Sequence, residues 1–368
     1  MKNVLVTGGA GFIGSNFVHT LFQAAGPGHR NRALRVFILD SFTYAGHRES
    51  LEGLERPLAD GSLEIVPRDI CEKGAALKIM IERGIDTVVH FAAETHVDRS
   101  IHGPEAFLKT NVMGTFELLE AARTAWAGVD PERVRFHHVS TDEVYGSLGP
   151  GDPAFKETTP YDPSSPYSAS KAGADHLVRA YHRTYKLPIT ISNCSNNYGP
   201  FQHPEKLIPL MILNALMGKT LPVYGDGRQR RDWIYVSDHC EAILRILEDG
   251  KSGETYNIGS GSDVENLKIV ETICDELDIR MPLPQGVPRR EILIKHVQDR
   301  PGHDRRYAVD CSKISRELGW TAAHAFTDGL KKTVDWYLSS AAWVKAVMHN
   351  GDYETWMAKN YEARKATP

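Results

Sequence analysis

The sequence is poor in the features that define several classes of protein. Its 368 residues contain five cysteines and no CxxC pair, which excludes a small disulfide scaffold and indicates reduced thiols. No apolar run approaches the roughly 18 residues that a membrane-spanning helix needs, and the chain opens on a short apolar strand pattern rather than a signal peptide. Lysine and arginine number 43 against 47 aspartates and glutamates, so charge does not favour nucleic acid. None of the 16 histidines falls in an HExxH-type spacing. We therefore expect a cytoplasmic protein with no metal, no nucleic acid partner and no membrane attachment.

The first half of the chain alternates strand and helix patterns. Apolar, β-branched runs typical of strands occupy these segments: Asn3–Thr7, Arg35–Asp40, Leu63–Pro67, Thr87–Phe91, Arg135–Ser140 and Ile189–Asn193. Apolar residues at helical spacing occupy the segments between them, among them Ile13–Ala24, Gly74–Glu82, Thr110–Trp126 and Tyr167–Tyr185. Strands that are apolar throughout and alternate with helices indicate a parallel sheet covered on both faces. The sequence therefore predicts an α/β fold with a Rossmann-type doubly wound sheet.

The pattern of prolines and apolar segments changes near residue 195. Prolines become frequent, the apolar segments shorten, and the later strand and helix patterns read as a smaller mixed α/β domain. We expect a cofactor-binding domain over residues 1–195, joined by a return segment near 228–250, and a substrate-binding domain over residues 196–368. No linker rich in glycine or serine separates them, so a cleft between two packed lobes is expected.

A glycine-rich turn follows the first predicted strand. Gly8, Gly11 and Gly14 have a GxxGxxG spacing, a variant of the dinucleotide fingerprint. The helix that starts there offers unpaired N–H groups and a partial positive charge to phosphates. Asp40 ends the second strand, where a carboxylate accepts from ribose hydroxyls and repels a 2′-phosphate. Glycines also serve ordinary tight turns, but strand, turn, helix and acid in this order predict NAD binding.

Tyr167 and Lys171 lie one helical turn apart in the last long helix of the first half. A lysine beside a tyrosine, with a cationic nicotinamide nearby, lowers the pKa of the phenol. Such a tyrosine takes a proton from a substrate hydroxyl while hydride leaves the same carbon. Surface helices also show this spacing by chance, so the prediction depends on the glycine fingerprint upstream.

Thr141, Asp142 and Glu143 follow the fifth predicted strand, at the edge of the sheet where ligands bind. Two crowded carboxylates split their pKa values, which leaves one protonated acid and one ionised base. That pair suits an elimination, in which the base removes a carbon-bound proton and the acid protonates a departing hydroxyl. A helix N-cap is the simpler interpretation. In a regular strand, successive side chains point to opposite faces. The strand must therefore end before these two residues if both acids are to face one substrate.

Other segments carry weaker signals. Phe91–Thr95 ends the fourth strand with small residues that could pass close to a cofactor ribose, although core packing also accounts for them. Arg231 and the run Asp299–His303 could bind a diphosphate, although basic clusters are usually solvated surface.

These motifs resemble the dTDP-glucose 4,6-dehydratases, a family of extended short-chain dehydrogenase/reductases. The specific element is Thr141-Asp142-Glu143, which the related epimerases are not expected to carry. The likeness spans essentially the whole chain and continues through these segments: Thr95–Ser100, Asn193–Pro200, Pro204–Pro209, Arg231–Trp233, Asp299–His303 and Asn360–Glu362.

The resemblance implies a redox cycle on bound NAD that converts dTDP-glucose into dTDP-4-dehydro-6-deoxyglucose and water. Tyr167 would deprotonate the C4 hydroxyl, assisted by Thr141 and Lys171. Glu143 would remove the C5 proton, and a protonated Asp142 would donate to the departing C6 hydroxyl. The family is homodimeric, and the same is implied here.

The resemblance also implies two sets of contacts. Those assigned to the cofactor are Gly8, Gly11, Phe12, Ile13, Gly14, Asp40, Ser41, Phe42, Thr43, Asp69, Ile70, Phe91, Ala92, Ala93, Thr95, Thr110, Tyr167, Lys171 and Asn197. Those assigned to the substrate are Thr95, Thr141, Asn196, Lys206, Leu207, Pro222, Val223, Tyr224, Arg231, Asn266, Asp299, Arg300, His303 and Tyr361.

Two other functions remain open at this point. A 4,6-dehydratase or epimerase for a UDP- or GDP-sugar shares most of these motifs, and thymine differs from uracil by one methyl group, worth about 1–3 kcal/mol in a pocket. A non-catalytic dinucleotide sensor on the same fold should have lost Tyr167 or Lys171, and both are present.

Overall fold

The structure, a computed structural model, describes residues 1–24, 34–348 and 355–356. These residues form thirteen strands: β1 (Asn3–Thr7), β2 (Arg35–Asp40), β3 (Leu63–Pro67), β4 (Thr87–His90), β5 (Arg135–Thr141), β6 (Ile189–Cys194), β7 (Asn196–Tyr198), β8 (Leu221–Tyr224), β9 (Arg230–Tyr235), β10 (Thr255–Ile258), β11 (Asp263–Glu265), β12 (Ile294–Val297) and β13 (Arg306–Tyr307). They also form thirteen α-helices: α1 (Phe12–Ala24), α2 (Glu55–Ala59), α3 (Ala75–Arg83), α4 (Val97–His102), α5 (Pro104–Phe107), α6 (Thr115–Ala125), α7 (Pro166–Tyr185), α8 (Leu207–Leu216), α9 (Val236–Asp249), α10 (Asn266–Arg280), α11 (Ser312–Leu318), α12 (Phe326–Ser339) and α13 (Ala341–Met348). No helix within the described ranges is long and apolar enough to cross a membrane.

Seven parallel strands form the large sheet, in the order β10-β6-β5-β4-β1-β2-β3. Apolar side chains bury both of its faces. One face packs on α1 and α9 through residues such as Phe17 and Ile243, and the other packs on α3, α6 and α7 through residues such as Met80 and Leu118. The predicted doubly wound fold is confirmed.

The order of the strands reverses between β1 and β4, because β2 and β3 lie on one side and β5 and β6 on the other. In open α/β sheets, ligands bind at such a reversal, beyond the carboxyl ends of the strands. The glycine turn after β1 and the Thr141 segment after β5 both leave the sheet at this edge.

The second half of the chain contributes smaller sheets around a separate apolar core. Strand β9 pairs with β7, β11 and β13, while β8 pairs with β12. Helices α8, α10 and α12 pack here through side chains such as Ile212, Ile273 and Val334. The segment that contains α9 and β10 returns to the large sheet, where β10 pairs with β6.

Between α5 and α6 the helix widens into a π-helical stretch, Leu108–Gly114. The sequence pattern predicts an ordinary helix from Thr110, but helical structure already begins at Pro104. A widened turn of this kind often lies at a functional site, and here it presents Asn111 to the large sheet's carboxyl edge. The Asn111 amide accepts from the Glu94 backbone N–H at 2.9 Å and donates to the Ser170 hydroxyl at 2.8 Å.

Candidate active site

A cleft of about 440 Å³ lies between the two lobes at the carboxyl edge of the large sheet. Most of the residues predicted to bind a cofactor or substrate line this cleft. On the cofactor side these are Gly8, Gly11, Phe12, Ile13, Gly14, Asp40, Ser41, Thr43, Asp69, Ile70, Phe91, Ala92, Ala93, Thr95, Thr110 and Asn197. On the substrate side these are Asn196, Lys206, Leu207, Pro222, Val223, Tyr224, Arg231, Asn266, Arg300 and His303. Thr141, Asp142, Glu143, Tyr167 and Lys171 line it as well.

Two predicted contacts do not line the cleft. Phe42 has a positive φ of 50° and lies under the Arg48 guanidinium, 4.6 Å from its ring centroid, rather than facing the cleft. Asp299 lies behind His303, whose Nδ1 is 2.5 Å from the carboxylate. A third predicted contact, Tyr361, lies outside the described residues.

The glycine turn allows no side chain at two of its positions. Gly8 has a φ of +69°, and a Cβ there would lie 2.6 Å from the backbone nitrogen of Ala92. A Cβ on Gly14 would lie 2.1 Å from the carbonyl oxygen of Gly8. The N–H of Gly11 donates to that same oxygen at 3.1 Å. The turn is therefore compact, and it brings the first turn of α1 to the edge of the cleft.

Asp40 anchors the loop beside this turn. Its two carboxylate oxygens accept from the N–H groups of Ala10 and Phe42, at 2.9 and 2.8 Å. Burial raises the pKa of Asp40, while these two donors act in the opposite direction. Because a carboxylate offers about four acceptor positions, Asp40 retains capacity for hydroxyl donors in the cleft.

The backbone leaves the strand alternation directly after Thr141. Residues Asp142–Tyr145 form a 3-10 turn, and the Thr141 hydroxyl accepts from the N–H of Glu143 at 3.3 Å. Thr141 is thus an N-cap, as the simpler interpretation of the sequence proposed. The turn also brings the consecutive residues Asp142 and Glu143 to the same cleft, so capping by Thr141 leaves both residues at the cleft.

The two carboxyl groups have different surroundings. Burial, followed by the charges of Glu143 and Asp232, raises the pKa of Asp142 well above its ordinary value. Its Oδ2 atom is buried and has no hydrogen-bond partner within the described residues. Burial and these neighbouring charges therefore favour the protonated form of the Asp142 carboxyl group.

Glu143 faces cations instead. Burial raises its pKa, but the charges of Arg300, Arg231 and Lys206 oppose that rise. An ionised carboxylate is stabilised when several cations surround it. The cations favour ionisation at Glu143, whereas the charges of Glu143 and Asp232 disfavour it at Asp142. The division into acid and base remains a prediction.

Tyr167 lies in the first turn of α7. Ser165 caps that helix in a reciprocal box with Ser168. Burial and the charge of Glu143 raise the pKa of the Tyr167 phenol well above its ordinary value, and a hydrogen bond with Thr141 acts in the opposite direction. The Lys171 ammonium donates to the carbonyl oxygen of Val139 at 2.8 Å.

The lowered pKa predicted for Tyr167 depends on a cationic nicotinamide as well as on Lys171, and the protein groups alone leave that pKa raised. Burial, which removes water from the phenolate, outweighs the groups that favour ionisation. A further positive charge next to the phenol is needed to lower its pKa.

Buried acceptors and arginines line the substrate side. The side-chain oxygens of Asn196 and Asn266 are buried and have no hydrogen-bond partner within the described residues. Arg231 packs over the Tyr307 ring at 4.2 Å and donates to the carbonyl oxygen of Asp304 at 2.9 Å.

Asp98 joins α4 of the first lobe to two segments of the second. Its carboxylate accepts from the Tyr224 hydroxyl at 2.8 Å and from Arg300 at 3.2 Å. The side chain of Asp98 is buried, so this ion pair is screened less than a surface pair. Asp98 thereby holds the Arg300 guanidinium at the cleft.

Several polar residues of the cleft were not predicted: Glu94, His96, Asp98, His203, Glu205 and Tyr307. His96, Asp98 and Glu205 occur in segments that carry the family resemblance, but no spacing assigns them a role. Arg99 links the lobes through Glu205, with 3.0 Å between Nε and the carboxylate. No group of three side chains within the described ranges is arranged to hold a metal ion.

Comparison with known proteins shows the family of this chain. The family profile of GDP-mannose 4,6 dehydratase matches residues 5–333. The dTDP-glucose 4,6-dehydratase 1 of Escherichia coli K12 is 50% identical over 98% of this chain and 99% of its own length. The dTDP-glucose 4,6-dehydratase of Neisseria gonorrhoeae is 55% identical over 92% of this chain and 96% of its own.

A solved structure extends the likeness to three dimensions. DesIV from Streptomyces venezuelae, a dTDP-glucose 4,6-dehydratase crystallised with NAD and TYD bound, has a TM-score of 0.83 and 45% identity, and the match covers 94% of this chain and 99% of DesIV. With near-complete coverage at about half identity and the acid pair in the cleft, this chain belongs to the dTDP-glucose 4,6-dehydratase family.

Proposed function

We propose that this protein is an NAD-dependent hydro-lyase that converts dTDP-glucose into dTDP-4-dehydro-6-deoxyglucose and water. The observation that carries the proposal is the pair Asp142 and Glu143, which share one cleft with Tyr167 and have different electrostatic surroundings. A simple alcohol dehydrogenase needs one proton-transfer group, whereas an elimination needs an acid and a base. The named relatives act on dTDP-glucose, and their similarity spans nearly the whole chain.

The residues around the glycine turn fit NAD. The turn that Gly8 and Gly14 keep free of side chains, together with the start of α1, would hold the diphosphate. Asp40 would accept from the adenosine ribose hydroxyls, and its charge would disfavour the 2′-phosphate of NADP. When bound, NAD supplies the hydride acceptor and a cationic ring near the phenol of Tyr167.

Proton transfers are assigned to the residues of the chain by their charge states. Tyr167, hydrogen-bonded to Thr141, takes the proton of the C4 hydroxyl as hydride leaves C4. The resulting C4 ketone acidifies the C5 proton, which the Glu143 carboxylate removes. Asp142 gives its proton to the departing C6 hydroxyl, which leaves as water. The hydride taken from C4 would return to C6 while Glu143 returns a proton to C5. Tyr167 would release its proton to solvent and Asp142 would regain one, so the cofactor ends oxidised and no external reductant is consumed.

The basic residues of the second lobe suit the diphosphate of a nucleotide sugar. Arg231 and Arg300 both lie at the cleft, and Lys206 donates to the carbonyl oxygen of Thr95 at 3.0 Å. Asn196 and Asn266 offer buried amide groups whose oxygens await a donor. We assign the substrate to this side, and assign residues 1–195 with the return segment near 228–250 to NAD.

We also propose that two copies form a homodimer through helices of the first lobe. Ile101 of α4, and Leu108 and Met113 of the π-helical stretch, are 36%, 55% and 52% exposed, which is costly in water for side chains of this size. The substitution Met113→Glu should yield a monomer in analytical ultracentrifugation, and a variant that still sediments as a dimer would contradict this interface.

The five cysteines are all unpaired, which supports a reducing compartment such as the cytoplasm.

An absorbance assay on purified protein tests the function. Incubation with dTDP-glucose and no added reductant should give a 4-keto sugar, which absorbs strongly in alkali, and UDP- and GDP-glucose should react more slowly. Formation of an isomer without the keto chromophore would favour an epimerase, and equal rates with UDP-glucose would contradict the assignment of the base. The absence of any product from all three sugars would favour a sensor.

A further inference from the structure

A cluster of side chains around Arg99 joins the two lobes beside the cofactor half of the cleft. It consists of Tyr44, Arg99, Glu205 and Trp356, and none of them has a part in the chemistry above. That chemistry needs a cofactor that stays bound, because hydride leaves C4 first and returns to C6 only after water is lost. Escape of NADH in between would leave an oxidised sugar without its hydride. The contacts of the Arg99 cluster indicate how the cofactor is retained.

The first contact comes from the loop that follows β2, residues 41–47, here termed the β2 loop. Thr43 and Ala45 of this loop line the cleft. Between them, Tyr44 has its ring centroid 3.9 Å from the Arg99 guanidinium carbon. Burial raises the pKa of the Tyr44 phenol well above its ordinary value, so a neutral ring faces the cation. Because a cation is attracted to the face of an aromatic ring, Arg99 holds the β2 loop against α4.

The second contact comes from the other lobe. Nε and Nη2 of Arg99 both lie 3.0 Å from Oε2 of Glu205. The side chains of Glu205 and Arg99 are 1% and 20% exposed, so this ion pair is screened less than a surface pair. His203, two residues earlier, packs edge-on against Tyr44, with 5.6 Å between the ring centroids, and stacks on His47 of the β2 loop at 5.8 Å. The β2 loop and the second lobe are therefore in contact beside the cleft.

Trp356 adds a third contact, from the end of the described chain. Its ring centroid lies 4.5 Å from the Arg99 guanidinium carbon. The same ring packs edge-on against His96 and His102, at 5.4 and 6.0 Å between centroids, and Trp356 is 7% exposed. Two aromatic rings and one carboxylate thus hold a single guanidinium in place.

The segments joined in this way are opposite walls of one cavity. The β2 loop lines the cleft on the side of the first lobe, and Glu205 lines it on the side of the second. Widening the cofactor half of the cleft requires these walls to separate, and their separation breaks the contacts of Arg99. Closure of loops and lobes over a bound molecule commonly sets the rate at which that molecule leaves.

We propose that Arg99 is a latch residue for NAD, whose guanidinium links the β2 loop to the second lobe so that the cofactor leaves only when these contacts open. The inference rests on the proposed function for the reason that NADH must be retained. The contacts of Arg99 and their effect on NAD release do not depend on the identity of the sugar.

The direct test measures the exchange of bound NAD without substrate. The protein is loaded with radioactively labelled NAD and mixed with excess unlabelled NAD, and rapid gel filtration follows the label that stays bound. Arg99→Met keeps an unbranched side chain but loses the ion pair and both ring contacts, so the label should leave about 10- to 100-fold faster than from wild type.

A matched control removes an arginine of the same lobe that lies outside the cleft. Arg83 pairs with Glu64 at 2.9 Å, and Arg83→Met should exchange NAD at the wild-type rate. The proposal is overturned if Arg99→Met exchanges at the wild-type rate, or if Arg83→Met is accelerated to the same extent.

A second pair of variants covers the case in which Arg99→Met does not fold. Tyr44→Leu leaves the ion pair with Glu205 in place and removes the ring that faces Arg99, so NAD should leave about 3- to 30-fold faster. Tyr44→Phe keeps the ring and should stay within about twofold of wild type. If these two variants exchange NAD at the same rate, Arg99 does not hold the β2 loop and the proposal is wrong.

Turnover gives a readout that a loss of stability alone would not produce. In buffer without free NAD, wild type should convert dTDP-glucose at a constant rate. Arg99→Met should slow with each turnover, because NADH that escapes leaves the enzyme without oxidised cofactor, and added NAD should restore the rate. A constant rate without added NAD would contradict the latch. If wild type itself does not convert dTDP-glucose, the proposed function fails, and the exchange of labelled NAD still decides the role of Arg99.

Discussion

Replacement of Asp142 by asparagine separates the two halves of the proposed reaction. Asparagine has nearly the same shape as aspartic acid and is neutral, and burial favours the neutral form of Asp142, so the fold should lose less than about 1 kcal/mol. It cannot give up a proton to the departing C6 hydroxyl. Loss of a positioned general acid slows a step by about 10²- to 10⁴-fold, which corresponds to about 3–5 kcal/mol in the barrier.

The consequence is an accumulated intermediate state. Tyr167 and Thr141 remain in place, so oxidation at C4 should proceed at nearly the wild-type rate while water loss stalls. In a single-turnover experiment with dTDP-glucose, the near-ultraviolet absorbance of NADH should rise and persist in Asp142→Asn, whereas in wild type it should decay as product forms. The alkali-absorbing keto sugar should appear at the slowed rate.

The pH profile gives an independent check on the same residue. The reaction needs Asp142 protonated, and its pKa is raised by burial and by the charges of Glu143 and Asp232. On the alkaline side, activity should therefore decline as the pH rises through that raised pKa. Asp142→Asn should lose this alkaline limb. If the variant dehydrates at the wild-type rate, or if its alkaline limb is unchanged, Asp142 is not the acid.

Three further substitutions test separate parts of the site. Tyr167→Phe should leave NAD oxidised when dTDP-glucose is added, and any NADH absorbance would remove Tyr167 from the first step. Asp98→Asn removes the charge that faces the Arg300 guanidinium at 3.2 Å. KM should rise about 10- to 100-fold while kcat stays within about threefold of wild type. An unchanged KM would refute the role of Asp98 in holding Arg300 at the cleft. Gly14→Ala places a Cβ 2.1 Å from the Gly8 carbonyl oxygen and should lower the free energy of unfolding by about 1–3 kcal/mol. Thermal unfolding with and without NAD measures this loss. A variant with the wild-type Tm and the wild-type shift in Tm on adding NAD would contradict the tight turn.

The large sheet could be predicted from the sequence because its strands are buried on both faces. Continuous apolar runs leave little ambiguity, and strands such as Asn3–Thr7 and Leu63–Pro67 have the predicted bounds. The helix predicted from Thr110 is less accurate, because it begins inside the π-helical stretch Leu108–Gly114, in which Asn111 hydrogen-bonds to Glu94 and Ser170. Periodicity does not report such a contact.

The acid pair shows what a motif can and cannot specify. The identity of Asp142 and Glu143 indicates an elimination, but strand geometry alone would point them to opposite faces. The 3-10 turn capped by Thr141 resolves this conflict. The division of charge also needs the structure, because the cations that face Glu143 come from distant segments, including Arg300 and Lys206.

Residues that support others were the least predictable. Asp299 was expected to contact substrate, yet its carboxylate accepts from Gln229 at 2.9 Å and lies 2.5 Å from His303 Nδ1. Conversely, Asp98 had no predicted role and joins the two lobes through Tyr224 and Arg300. The partners of Asp98 lie 126 and 202 positions away and leave no local pattern in a single sequence.

Mass spectrometry of dTDP-glucose incubated with the protein in deuterated water, with no added reductant, tests the central claim most directly. Internal redox dehydration predicts a product that has lost one water and gained one deuterium at C5, because the proton that Glu143 removes exchanges with solvent. Formation of an isomer with no loss of water, or dehydration only when NADH is supplied, would contradict it.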